Sequence, residues 1–150
     1  MLCSGAIQRG PVLMMKYVAA YLGAGLTFAV IDAVWLTTMA DRLYRPVIGS
    51  LMADRPNMTA AVVFYLIAIG GIVFLAVMPA LKEAAWTRAL LNGAVLGFVA
   101  YATYDLTNQA TLSVWSTRLT VIDVGWGTML TGAASVGGYF AARWVEGRFG

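Results

Sequence analysis

The sequence predicts an all-α polytopic membrane protein, a bundle of four transmembrane helices, and three observations carry that prediction. Of 150 residues, 61% are hydrophobic and only 11% charged, whereas soluble domains carry about 25% charged side chains. Four stretches are apolar over the roughly 20 residues that a helix needs to cross the hydrocarbon core: about 17–40, 59–81, 89–110 and 119–142. The aromatic residues Tyr17, Trp86, Trp115 and Trp144 fall near the ends of these stretches, at the level where amphipathic rings settle in a bilayer.

The elements follow in chain order. Residues 1–14 contain Gly, Ser, Gln, Arg and Pro and read as a disordered or upstream-start extension. Residues 15–150 then form the four-helix domain. The first apolar stretch is longer than the 7 to 15 residues of a signal-peptide core and is interrupted by Asp32, so it reads as a permanent span. A loop follows with Asp41, Arg42, Arg45, Pro46, Asp54, Arg55 and Pro56. The second span leads through a short turn at Lys82 and Glu83 to the third, and a link at 113–118 leads to the fourth.

Lipid tails give helices no hydrophobic drive to associate, so small residues that let backbones approach are the expected contact points. They are Gly93 and Gly97 in the third span, Ala133 and Gly137 in the fourth, and further Gly70, Gly71, Gly125, Gly127 and Gly138. Basic residues divide six to four between the two sides: Arg9, Lys16, Lys82, Arg88, Arg143 and Arg148 against Arg42, Arg45, Arg55 and Arg118. The excess places both termini in the cytoplasm, and the expected location is a bacterial inner membrane.

Composition excludes several chemistries. Histidine is absent and Cys3 is the only cysteine, so no His- or Cys-ligated metal, haem or iron–sulfur cluster is expected within one chain. No cofactor is otherwise indicated. The net charge of +3 is spread singly along the chain rather than gathered in a basic patch, which argues against nucleic acid as a partner.

Three acidic residues fall inside the predicted spans, namely Asp32, Asp105 and Asp123. A carboxylate at the centre of a membrane helix costs about 2.5–3.5 kcal/mol on insertion scales, so three of them call for a reason. Because successive helices alternate direction, all three lie in the half bordered by the first loop. Asp32 is roughly 12 Å below its helix end and the other two about 6 to 8 Å below theirs. A single polar pocket, opening to the non-cytoplasmic side, is the expected result. Helical spacing adds Tyr101, Tyr104 and Asn108 around Asp105, and Trp35 and Trp126 stand one turn from Asp32 and Asp123. Tyr44, Arg45 and Tyr65 complete the candidate ligand-binding set.

Carboxylates so placed suit a site for a lipid or other apolar ligand, bound or acted on. They also suit proton- or cation-coupled transport by a homo-oligomer. Small size and short loops suit an accessory subunit packed on a larger membrane complex. Membrane lipid is the expected partner, and no complete catalytic motif names a reaction.

The runs Asp32-Ala33-Val34-Trp35-Leu36, Leu43-Tyr44-Arg45, Phe64-Tyr65-Leu66, Pro79-Ala80-Leu81, Tyr101-Ala102-Thr103-Tyr104-Asp105-Leu106-Thr107-Asn108 and Asp123-Val124-Gly125-Trp126-Gly127 resemble the bacterial domain-of-unknown-function family 2177. The likeness runs from Met15 to about Phe140. It implies a four-helix inner-membrane protein and brings no catalytic assignment.

Overall fold

The computed structural model describes residues 9–150, and every regular element in that range is helical. Helix α1 spans Arg9–Met39, a π-helical turn Ala40–Tyr44 follows, and α2 (Arg45–Ile48) and a 3-10 turn Gly49–Leu51 extend it. Helix α3 covers Met58–Ile72, a second π turn Val73–Val77, and α4 Met78–Glu83. Helices α5 (Trp86–Thr111) and α6 (Thr117–Phe149) complete the chain. Among the described residues four helical stretches are long and apolar enough to cross a membrane: Gly10–Leu51, Met58–Glu83, Trp86–Thr111 and Thr117–Phe149.

Arg9 to Met14 form the start of α1, and residues 1–8, Cys3 among them, lie outside the described residues. One expectation changes. The expected loop after Ala40 is helical as far as Leu51, leaving only 52–57 as the link. The two π turns, Ala40–Tyr44 and Val73–Val77, have one physical cause. A proline inside a helix removes an N–H and drives its ring into the carbonyl four residues back. Pro46 and Pro79 each stand in the first turn of the α-segment that follows a π turn. The π turns are closed by Arg45 N–H donating to the Ala40 carbonyl and Met78 N–H to that of Val73. The wider turn makes room for the ring, so the helix passes the proline instead of ending there.

The other ends are set by local chemistry. Asn57 caps α3 by accepting from Ala60 N–H at 3.1 Å, and Ser116 caps α6 by accepting from Leu119 N–H at 3.2 Å. The turn between α4 and α5 is reduced to Ala84 and Ala85, with Ala84 in the left-handed region at φ 53°. Arg88 closes over it onto Glu83 at 3.0 Å. Lys16 of α1 pairs with Glu146 of α6 at 2.6 Å, which fixes the first and last spans to each other.

Helix α6 is the hub. Half of its apolar window is buried inside the protein against 22–28% for the other three spans, and it packs along both α1 and α5. Small residues make this approach. A methyl group added at Gly93 would overlap the Ser135 hydroxyl, at Gly97 the Gly127 carbonyl, and at Gly137 the Thr27 hydroxyl. Gly70, Gly71 and Gly125, expected as contact points, instead face open space with nothing within 4 Å of an added Cβ. Alanine at Gly125 therefore removes backbone freedom without a clash, and a gain of about 0.5–1 kcal/mol is expected, measured as a higher unfolding midpoint in detergent. A lower midpoint would mean that something outside the chain covers that face.

Candidate functional site

Helices α5 and α6 run antiparallel in layers spaced four residues apart. Gly93 lies against Ser135, Gly97 against Thr131, and Tyr101 against Gly127, whose missing side chain makes room for the Tyr101 ring. Continuing the same step, Asp105 faces Asp123. Their exposures are 0% and 5%, and each layer sits about 6 Å along the axis from the last. One step further out, Thr120 donates to Gln109 Oε1 at 2.7 Å, Gln109 Nε2 donates to Thr117 at 2.8 Å, and Trp115 Nε1 donates to Thr120 at 3.0 Å. Sequence reasoning missed this outer network. Its signal was the run of Gly, Tyr, Asp and Gln at every fourth position of the third span.

Asp123 accepts a hydrogen bond from the Tyr44 hydroxyl, and Tyr44 accepts in turn from Trp35 Nε1 at 2.9 Å. Trp35 and Tyr44 are nine residues apart, two and a half turns of an α-helix, and would face opposite sides of a straight one. The π turn Ala40–Tyr44 changes that phase. Trp35 also stacks on Trp126, with ring centroids 4.1 Å apart and planes within 9°.

Asp32 is 7% exposed and accepts from the Tyr65 hydroxyl of α3 at 2.6 Å. On α1 it lies between Thr27, which meets Gly137, and Trp35, which meets Trp126. It is therefore about two turns, or ~10 Å, deeper than Asp123. Tyr101 stands between the two levels, within electrostatic reach of Asp32, Asp105 and Asp123. The three carboxylates thus form a column rather than a single point. Among the described residues no three His, Cys, Asp or Glu side chains are arranged to hold a metal ion.

Asp105 is the exception to good hydrogen bonding. Both of its oxygens are buried without a partner, as is Trp126 Nε1. The donors expected to flank it do not hydrogen-bond it: Tyr104 is 57% exposed and packs edge-on against Trp115, and the Asn108 side chain lies beside the Tyr104 hydroxyl. Arg45, expected in the pocket, is outside it, exposed and paired with Asp41 at 2.7 Å. The four ion pairs among the described residues are Lys16–Glu146, Asp41–Arg45, Glu83–Arg88 and Arg143–Glu146, and none involves the buried carboxylates.

A cavity of about 340 Å³ lies between α3 and α5, lined by Phe64, Ala100, Tyr101, Tyr104 and Asp123. It gives the polar column a contact with space outside the packed bundle. Residues 17–140, which include every candidate site residue, match a family model described as a predicted membrane protein (DUF2177). No curated protein and no solved structure matches the chain.

Proposed function

The chain belongs to the DUF2177 family of predicted membrane proteins, and from that premise we propose that it holds a lipid or other apolar ligand at the polar column of Asp32, Asp105 and Asp123. The observation that carries this reading is Asp105, wholly buried with neither oxygen hydrogen-bonded and with a second carboxylate facing it. A buried polar group without a partner costs about 1–3 kcal/mol, more when it is charged, and ionisable groups within a membrane are costly enough to mark function by default. Packing alone gives no return for that cost, because leucine or alanine would fill the same space.

The column's donors and acceptors suit a polar head, and the aromatic walls of Trp35, Trp126 and Tyr101 suit the ligand's apolar neighbourhood. We place the protein in a bacterial inner membrane with both termini cytoplasmic, so that the column opens from the opposite face. Membrane lipid is then the immediate source of ligand.

The test is what the purified protein carries. Wild type extracted in mild detergent is expected to retain about one apolar molecule per chain, detected by mass spectrometry of the organic extract. Asp105→Asn, with unchanged helix content, is expected to lose at least about tenfold of it, since truncating one partner of a buried polar contact commonly costs 2 kcal/mol or more. An identical extract from both proteins would defeat the proposal.

A further inference from the structure

Resting on the ligand-site reading above, we infer that the gap between α3 and α5 is a lateral groove that admits a single-chain amphiphile with a protonated amine head. The gap is built into the packing. Helix α5 lies along α6, on the π turn Val73–Val77 and on α4, and leaves the outer turns of α3 unpartnered on that side. Two cavities fill the space, one of about 230 Å³ and one of about 340 Å³, and they share Phe64, Ala100 and Tyr101. The inner one is floored by apolar groups such as Phe28, Ile72 and Leu96, and the outer one ends on Asp123. An apolar channel with a carboxylate at one end has the shape of an amphiphile.

Its mouth faces lipid. Phe64 is 52% exposed and Ile67, on the wall of the inner cavity, is 70% exposed. A second groove on the far side of α5 and α6, of about 470 Å³, is lined by apolar residues, Gly125 and two threonines, with no ionisable group. Nothing in it selects a head group, whereas the first groove leads to charge.

The sign of that charge selects the head. No basic side chain lines either cavity. The Tyr44 and Tyr65 hydroxyls already donate to Asp123 and Asp32, and Asp105, across the interface from Asp123, receives no donor. The Tyr101 and Tyr104 hydroxyls also line the outer cavity, but no cation does, so a phosphate or carboxylate head would add like charge beside Asp123, whereas an ammonium brings three donors and a compensating charge. A neutral hydroxyl supplies one donor and no charge.

Equilibrium binding of dodecylamine, dodecanol and dodecyl phosphate to the full chain in phosphatidylcholine nanodiscs tests this. Saturable binding of one dodecylamine per chain is expected, at least about tenfold tighter than the other two probes. Asp123→Asn is expected to weaken it about thirtyfold. Ala100→Phe fills the groove from its exposed side and is expected to weaken binding about as much with no change in unfolding midpoint. Dodecanol or dodecyl phosphate binding as tightly as the amine overturns the amine head while leaving a ligand site in place. Undiminished amine binding in Ala100→Phe overturns the groove. No saturable binding by any probe overturns the whole inference, and the extract from Asp105→Asn then decides separately whether a ligand site exists.

Discussion

Replacing Asp105 with asparagine is expected to raise the stability of the protein by about 1–3 kcal/mol while removing its ligand. The two carboxyl groups of Asp105 and Asp123 face each other across the α5–α6 interface, and only Asp123 has a donor. Asparagine keeps the volume, removes a potential charge from a buried site, and presents an amide that can donate to Asp123. Each change favours the folded bundle. Exposed surface substitutions stay within about 0.5 kcal/mol, so a shift of this size stands out in an unfolding titration. The direction separates two accounts of the residue. If Asp105 existed to hold the helices together, its replacement would lower the midpoint. If it is kept for a ligand at the expense of stability, replacement raises the midpoint and empties the site. A loss of more than about 1 kcal/mol together with an unchanged lipid extract would assign Asp105 to packing.

The number and order of the spans were legible because burying a helix in lipid requires an apolar run, and composition reports that directly. The acidic positions were legible for the converse reason, as three carboxylates in apolar runs have few structural excuses. What the sequence concealed depends on small differences in backbone phase. Tyr44 stood in a predicted loop, and its approach to Asp123 depends on a π turn that shifts the helix by part of a turn. Pro46 was the available signal, yet a proline at that distance from a span reads as a helix end as readily as a widened turn. Arg45 illustrates the same limit: its neighbour Tyr44 turns inward while Arg45 itself turns out to Asp41. Glycine content likewise marked the close helices without marking which face each glycine takes. Gly97 and Gly127 lie in the interface, but Gly125, two residues from Gly127, faces outward. The matching step of four on the fourth span, Asp123, Gly127, Thr131 and Ser135, was present in the sequence and includes Gly127 but not Gly125.

Gly97→Ala tests that layered interface most directly, and a loss of about 2–3 kcal/mol is expected. Alanine in a helix is intrinsically better than glycine by about 1 kcal/mol, so the substitution begins with an advantage. Overlap reverses it. The added methyl would fall on the Gly127 carbonyl and lie 2.7 Å from the Thr131 side chain, and a backbone carbonyl of the facing helix cannot rotate away as a side-chain tip can. Relief requires α5 and α6 to separate along their length. The neighbouring layers, Tyr101 on Gly127 and Asp105 on Asp123, then loosen as well, and Asp105 becomes accessible to water. Ligand retention should therefore fall although residue 97 is about two turns from Asp105. Gly125→Ala is the matched control, since the same chemical change there meets open space. Unfolding midpoints of the two variants should move in opposite directions. A Gly97→Ala protein as stable as Gly125→Ala would show that the helices are not held at glycine contact distance, and the facing of Asp105 and Asp123 would lose its structural basis.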